Sequence, residues 1–133
     1  MKVVIAAGKR KRAIARAIIR PGNGVVKINN LLLDFYEPKL ARLKLREPLI
    51  IAEDFINKVN ISVNVFGGGI ASQADASRLA IAKGLVKFSK SDKLKKQFLD
   101  YDRNLLVADV RRKEPSKPNG HGQARAKRQK SYR

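Results

Sequence analysis

Val59-Asn60-Ile61-Ser62-Val63-Asn64-Val65-Phe66 is followed by Gly67-Gly68-Gly69 and a long alanine-rich run, and this order organises the rest of the chain. In the first eight residues β-branched side chains alternate with small polar ones, which predicts a strand with one buried and one polar face. Three glycines allow positive φ and end the strand. Residues 70–88 favour helix, with an apolar stripe opposite two lysines: Ala74, Ile81, Leu85 and Phe88 against Lys83 and Lys87.

The glycine run is also a candidate phosphate-binding loop. A P-loop needs a lysine and a hydroxyl that close the loop, and a dinucleotide loop needs a third, spaced glycine. Ile70, Ala71 and Ser72 follow instead, so we do not expect nucleotide hydrolysis. Bare amides at a helix N-terminus can still hold an RNA phosphate. A structural turn and a phosphate contact are compatible, and both stay open.

Length and composition limit the class of protein. The chain has 133 residues, of which 44% are hydrophobic, enough for one domain with a modest core. It has no cysteine, which excludes disulfides, thiolate metal sites and cysteine catalysis. No apolar run approaches the roughly 20 residues of a membrane span, and the basic N-terminus lacks a signal-peptide core. We therefore expect a cytoplasmic protein.

Charge is the strongest signal in the composition. Thirty Lys and Arg against eleven Asp and Glu give a net charge of +19, which opposes a compact state unless a polyanion neutralises it. Residues 1–33 carry eight basic residues and no acid, residues 34–110 thirteen against ten, and residues 111–133 nine against Glu114 alone. The last segment also lacks the apolar residues of a core. We predict a globular domain over residues 1–110 and an extended basic arm over residues 111–133.

The segments before the central unit predict further elements. Residues 3–7 form an apolar strand, and a basic loop follows at residues 9–12. Residues 13–20 and 25–29 are interpreted as a hairpin around Pro21-Gly22-Asn23-Gly24, because this is dense turn chemistry. Asp34 is a predicted N-cap for a short helix over residues 35–39, and residues 40–46 are ambiguous. Glu47-Pro48 predicts the start of a helix that continues to residue 56.

After the central unit, Ser91 or Asp92 is expected to cap a helix through Leu94, Phe98 and Leu99. Residues 100–104 are predicted loop, and residues 105–108 a last buried segment. The chain offers little for catalysis: His121 is the only histidine and lies in the arm, where nothing holds it beside a nucleophile. The carboxylate pairs Glu53/Asp54 and Asp100/Asp102 are typical of helix surfaces and caps. We expect no enzyme, metal site, cofactor or small-molecule substrate.

Basic clusters point to a polyanion partner. Four cations lie together at residues 9–12, and the arm adds nine more. Few aromatic residues are present, so phosphate contacts should dominate over base stacking. The arm has no apolar face, which argues against a membrane surface. Charge alone does not say which polyanion is bound, and a general nucleic-acid binder, such as a chromatin protein, remains open at this point.

Motifs along the whole chain resemble one family, the universal small-subunit ribosomal protein numbered nine. Residues 8–16, 21–24 and 27–29 resemble the start of that family's sequence. Its signature is resembled by a second stretch, Gly67-Gly68-Gly69 followed by Ser72-Gln73-Ala74-Asp75-Ala76. Residues 101–114 and 124–133 resemble its C-terminal arm. The ending Lys130-Ser131-Tyr132-Arg133 is similar to the archaeal and eukaryotic branch, and its brevity favours archaeal.

The resemblance implies an α+β domain: a mainly antiparallel four-stranded sheet, helices packed on it, and a left-handed β-α-β crossover. It implies a place in the small-subunit head among neighbouring head proteins, bound to ribosomal RNA. The implied ribosomal RNA contacts are Lys9, Arg10, Lys11, Arg12, Arg16, Gly67, Gly68, Gly69, Arg103, Arg111, Arg112, Lys113, Lys117, Arg125, Lys127 and Arg128. The tip residues implied to reach P-site transfer RNA are Lys130, Ser131, Tyr132 and Arg133, where bacterial members have lysine in place of Tyr132.

Overall fold

The computed structural model describes residues 3–112 and 114–116. Its strands are β1 (Val4–Arg10), β2 (Ala13–Pro21), β3 (Val26–Ile28), β4 (Leu31–Leu32) and β5 (Val59–Phe66). Its helices are α1 (Lys39–Ile51), α2 (Glu53–Ile56), α3 (Ile70–Ser89) and α4 (Asp92–Tyr101), with short 3-10 turns at Leu33–Phe35 and Arg103–Leu105.

The strands form one sheet in the order β1-β2-β5-β3-β4. β1 and β2 are joined by a tight hairpin, and β2 pairs with β5 in antiparallel register, with Ile19 opposite Ile61. β3 pairs with β5 in parallel, so the chain crosses over through α1 and α2 between them. The predicted α+β class and mainly antiparallel sheet are confirmed. The two-residue β4 adds a fifth strand to the four expected.

The predicted hairpin between β2 and β3 is wrong, because β5 lies between these two strands. The Pro-Gly-Asn-Gly segment does reverse the chain, but it crosses the end of β5, so β2 and β3 run antiparallel without pairing. Gly22 N and Gly24 N donate to the carbonyls of Lys58 and Val59 at 2.9 Å. The Asn60 side chain accepts from the backbone N–H of the same segment, at 2.9 Å from Asn23. Turn residues predict a bend, but the partner of a strand is decided by distant residues.

The helices before β5 also differ from the prediction. Asp34 lies in a 3-10 turn, and α1 begins at Lys39 and runs through Pro48 to Ile51. Pro48 therefore does not start a helix. Its ring removes one helical hydrogen bond, which costs roughly 3 kcal/mol in an isolated helix interior. The helix persists because it buries one face, formed by Ala41, Leu45 and Pro48, against the core.

The predicted central unit is confirmed. β5 alternates buried and more exposed residues, Gly67 and Gly68 adopt φ of 78° and 65°, and α3 follows directly. Three of the four predicted stripe residues are buried, and Phe88 is half-buried. α4 begins as expected, since the Ser91 hydroxyl accepts from the Leu94 N–H at 3.3 Å. Beyond α4 only Leu105 of the predicted buried segment at residues 105–108 is buried, and Asp100 and Tyr101 belong to the helix.

The core lies between the sheet and the helices, with α3 packed across β1 and β2. The inward residues of β2 are small near its start, and Ala13, Ala15 and Ala17 are fully buried. A Cβ on Gly8 would lie 2.3 Å from the carbonyl oxygen of Ala76, so only glycine permits this approach of β1 to α3. Among the helices that are described, none is long and apolar enough to cross a membrane.

Candidate nucleic-acid interface

The tip of the β1–β2 hairpin carries the first group of predicted RNA contacts. β1 ends at Arg10 and β2 begins at Ala13, and Lys11 takes a positive φ of 54° in the loop between them. Lys9, Lys11 and Arg12 are exposed. Within the described residues no carboxylate lies at ion-pair distance from these three side chains. Their charges are therefore available to a partner.

The glycine turn lies directly against this hairpin loop. A Cβ on Gly67 would lie 2.6 Å from the carbonyl oxygen of Arg12, and one on Gly68 would lie 3.1 Å from the backbone nitrogen of Ala13. These two glycines are explained by positive φ and close packing. Gly69 differs, because its Cβ position has nothing within 4 Å and no side chain caps the N-terminus of α3 that it precedes. The open amides of α3 thus lie next to the basic loop.

Asp109 joins the start of the predicted arm to the same hairpin. Its carboxylate accepts a hydrogen bond from Arg10 Nη1 and also from Arg111, at 2.8 Å from Nη2 and 3.0 Å from Nε. The Arg111 side-chain and backbone hydrogen bonds, and then the nearby Arg10 charge, hold the pKa of Asp109 well below its usual range. The same contact raises the pKa of Arg111. Arg10 and Arg111 are therefore partly neutralised within the protein.

Arg112 continues the chain past this ion pair. Its Nη1 donates to the carbonyl oxygens of Asp109 at 2.7 Å and Arg111 at 2.9 Å, so its guanidinium is positioned by backbone without losing its charge. The hairpin tip and the start of the arm together line one groove, which we call the basic groove. Its lining residues are Arg10, Lys11, Arg12, Arg111, Arg112, Glu114, Pro115 and Ser116.

A partly buried ion-pair network lies next to the basic groove and joins the helices there. Arg78 of α3 pairs with Glu47 of α1 at 2.6 Å and with Asp102 after α4 at 3.2 Å. Asp75 pairs weakly with Arg10 at 3.8 Å and with Lys44 at 3.5 Å. Asp102 also caps the following turn by accepting from the Asn104 N–H at 2.9 Å. These carboxylates connect helices, and none of them is arranged as an acid–base pair.

The remaining predicted contacts fall in other places. Arg103 is exposed in the turn after α4. Arg16 lies on β2, between Ala7 and Asn64, on the face of the sheet opposite α3. Sequence reasoning missed Arg20 and Lys27, which share that face; the alternation along β2 for Arg20, and along β3 for Lys27, was the available signal. Outside the described residues lie His121 and the contacts predicted at Lys113, Lys117, Arg125, Lys127, Arg128, Lys130, Ser131, Tyr132 and Arg133.

Comparison with known proteins gives one consistent result. The model of the family described as ribosomal protein S9/S16 matches residues 8–133. The small ribosomal subunit protein uS9 of Methanothrix thermoacetophila is 50% identical over 133 residues, and that of Thermoplasma volcanium is also 50% identical over 133 residues. The protein of the same name from Methanococcus maripaludis is 49% identical over 134 residues. Each match covers 100% of both chains.

Family membership also answers the question of catalysis, since the relatives are structural ribosomal proteins rather than enzymes. The match extends through the hairpin tip, the glycine turn, the start of the arm and the residues beyond the described part. The chain therefore belongs to the ribosomal protein S9/S16 family, as a non-enzymatic member of archaeal type.

Proposed function

We propose that this protein is a constituent of the small ribosomal subunit head that binds ribosomal RNA through the basic groove. The observation that carries this proposal is the convergence of Lys11, Arg12 and Arg112 on one groove, in a chain whose full-length relatives are named as small-subunit proteins. Such a protein works in the cytoplasm, where ribosomes translate.

Phosphate contacts account for binding at the groove. Lys11 and Arg12 have no carboxylate partner among the described residues, so an RNA phosphate would be their first counterion. A guanidinium can hold a phosphate with two parallel hydrogen bonds, whereas lysine acts as a point charge. The open N-terminus of α3 beside Gly69 adds a partial positive charge. Contacts of this kind fix the position of the protein on RNA, without reading its sequence.

The arm gives the second part of the proposal. Asp109 holds the chain against the hairpin through Arg10, so residues 111–133 would leave the domain at the basic groove. From there Lys113, Lys117, Arg125, Lys127 and Arg128 would follow ribosomal RNA. The tip, Lys130 to Arg133, would reach P-site transfer RNA. Exposed apolar side chains beside and on α1, Phe35, Leu40 and Ile50, suit neighbouring head proteins.

Binding to RNA as a function of salt tests the groove. The probe is a transcript of the head domain of an archaeal small-subunit ribosomal RNA. The double variant Lys11→Gln/Arg12→Gln should bind more weakly, and its log–log salt slope should fall by roughly 1.4–1.8, since each lost phosphate contact removes ~0.7–0.9. The control variant Lys95→Gln/Lys96→Gln loses the same charge on the exposed side of α4 and should change the slope little.

Two outcomes would contradict the groove proposal. One is a wild-type affinity that hardly depends on salt. The other is equal binding to the head-domain transcript and to an unrelated RNA of the same length, which would favour a general nucleic-acid binder. Co-sedimentation with small subunits in moderate salt provides an independent measurement.

Removal of Ser131-Tyr132-Arg133 tests the tip. The upstream cations should keep the protein in the subunit, so assembly should be unchanged. P-site transfer RNA should be held up to about tenfold more weakly, which corresponds to about 1.4 kcal/mol and to one charged hydrogen bond. Filter binding of deacylated transfer RNA to reconstituted subunits measures this. An unchanged affinity would show that the tip contacts ribosomal RNA alone.

A further inference from the structure

The face of the sheet opposite α3, which we call the open face, has an unusual side-chain composition. It consists of the outward residues of the strands: Ile5, Ala7, Lys9, Ile14, Arg16, Ile18, Arg20, Lys27, Asn60, Ser62, Asn64 and Phe66. Four of these are cations. The five strands together contain no carboxylate. In the part of the chain that the structure describes, no helix lies over this face.

The register places the cations across the sheet. Arg16 is opposite Asn64, Arg20 opposite Asn60, and Lys27 is the parallel neighbour of Ser62. A shallow groove runs along this end of the face, lined by Ile18, Arg20, Pro21, Val25, Lys27, Asn30, Asn60, Ile61 and Ser62. β5 lies between the strands that carry Arg20 and Lys27, so these two positions are at least about 10 Å apart across the sheet, and their charges repel each other mainly at low ionic strength.

No contact within the described protein offsets this repulsion. Arg16, Arg20 and Lys27 make no ion pair there, and all three are exposed. Ser62 and Asn64 are exposed as well, and no side-chain hydrogen bond within the described residues uses them. Asn60 is different, because its Oδ1 already accepts from the N–H groups of Asn23 and Val25. The unpaired charges of Arg16, Arg20 and Lys27 therefore predict an anionic partner.

An exposed aromatic ring completes the face near the hairpin tip. Phe66 is the last residue of β5 and remains 56% exposed. It is opposite Ile14 of β2, which is in turn opposite Lys9 of β1. Unpaired bases stack on an exposed ring of this kind, while cations elsewhere on the same face of the sheet hold the phosphates.

We infer that the open face binds an unpaired segment of ribosomal RNA, with phosphates on Arg16, Arg20 and Lys27 and one base stacked on Phe66. This inference rests on the proposed function and adds a second surface to it. A paired helix would offer phosphates but no free base for Phe66. An acidic protein segment would satisfy the charges, but it would supply no base to stack on the exposed ring of Phe66.

Substitution of the ring tests the stacked base. The probes are a short unpaired RNA oligonucleotide and the fully paired duplex of the same sequence. Phe66→Leu should weaken binding to the unpaired probe roughly tenfold and leave duplex binding unchanged, whereas Phe66→Tyr should retain wild-type affinity for both. Equal affinities of Phe66→Leu and wild type for the unpaired probe would overturn the stacking contact.

Substitution of the cations tests the phosphate contacts. Arg16→Gln/Arg20→Gln/Lys27→Gln should lower the salt slope for the unpaired probe by about two units, at ~0.7 for each contact on a single strand. The matched variant Lys93→Gln/Lys95→Gln/Lys96→Gln removes the same charge from α4, where all three lysines are exposed. If the salt slope fell equally in both variants, the effect would come from net charge alone, and the inference would be overturned.

The two proposals fail in different ways. If the wild-type protein does not bind the head-domain transcript, the proposed function itself fails. If wild type binds it and only the variant Lys11→Gln/Arg12→Gln is weakened, the basic groove stands and the open face binds no RNA. A triple open-face variant that binds all RNA normally but is lost from assembled subunits would assign the face to a protein neighbour, and would also overturn the inference.

Discussion

The two faces of the sheet are built from alternate residues of the same strands, and they serve opposite requirements. On the covered face the residues of β2 are Ala13, Ala15, Ala17 and Ile19, each with 0% exposure. On the open face the same strand presents Ile14, Arg16, Ile18 and Arg20. The first three of these are alanines, because α3 lies close to the start of β2 on this face. The open face has no packing partner among the described elements, and it accumulates like charges.

This contrast separates stability from binding in one strand. Residues on the covered face should affect unfolding and leave RNA affinity alone, and residues on the open face should do the reverse. A core position tolerates little change in volume because protein interiors are close-packed. An exposed position tolerates substitution within about 0.5 kcal/mol. The predictions below test this separation by pairing positions that differ mainly in the direction they face.

The largest effect is expected at Gly8. A Cβ there would lie 2.3 Å from Ala76 O and 2.7 Å from Ala80 N, and backbone atoms cannot move aside cheaply. Gly8→Ala should therefore lower the free energy of unfolding by about 3 kcal/mol, as severe overpacking does. Ala7→Ser is the control, one residue earlier on the open face, and should change it by less than about 0.5 kcal/mol. Urea denaturation measures the free energy of unfolding of both variants, and equal changes would contradict the proposed difference between the two faces.

The glycine turn offers a second pair. Gly67→Ala should cost about 2 kcal/mol, because φ is 78° and the new Cβ would meet the Arg12 carbonyl oxygen at 2.6 Å. Gly69 has φ of −101° and open space around it, so Gly69→Ala should leave stability nearly unchanged. Thermal melting of the two variants decides this. A destabilised Gly69→Ala variant would mean that the open N-terminus of α3 is itself structural.

Removal of charge from the open face should have a small effect on stability, opposite in sign to that of the glycine substitutions. Arg16→Gln/Arg20→Gln/Lys27→Gln removes repulsion on the sheet, so the free energy of unfolding in low salt should stay constant or rise by up to about 0.5 kcal/mol. High salt should abolish this gain in stability, because dissolved ions screen the repulsion in the wild-type protein as well. Chemical denaturation at two salt concentrations measures it. A clear loss of stability would show that these side chains support the fold.

The contact between Asp109 and the hairpin gives the most local test, because it distinguishes two consecutive cations of β1. Lys9 points to the open face, and Arg10 lies on the helix side, where it meets Asp75 and Asp109. Asp109→Ala removes the acceptor, so it should release the start of the arm and speed amide exchange at Arg111, whose N–H donates to Asp109 at 2.9 Å, with little change in global unfolding. Asp100→Ala, at an exposed carboxylate of α4, is the control. Equal exchange at Arg111 in Asp109→Ala and wild type would contradict the proposed attachment of the arm.

The pH dependence of that contact follows from the lowered pKa of Asp109. A carboxylate with a lowered folded-state pKa stabilises the fold at pH above its unfolded value, near 3.9, and the stabilisation is lost as the pH falls through the folded value. The arm attachment should therefore be constant from neutral pH to about pH 5 and fail only in strong acid. An NMR titration of the Asp109 carboxyl carbon measures this. A midpoint in the ordinary carboxylate range would contradict the ion pair.

Local patterns in the sequence were sufficient for some elements. The alternation in β5, the glycine turn and the stripe of α3 were predicted because periodicity, positive φ and helix propensity all act within a few residues. The Ser91 cap of α4 is local in the same way. The resemblance of motifs gave the family, which the full-length relatives show. The charge layout indicates a polyanion partner from the sequence alone.

Only tertiary structure decided which strands pair and which cations are free. β5 separates β2 from β3 because the chain closes Gly22 and Gly24 onto Lys58 and Val59, residues more than thirty positions away. Pro48 stays in a helix because burial of that face outweighs its local cost. Asp109 meets Arg10 across 99 positions, which no local pattern encodes. The composition gives the number of charges, but contacts between distant residues determine which of these charges stay unpaired and are available to a partner.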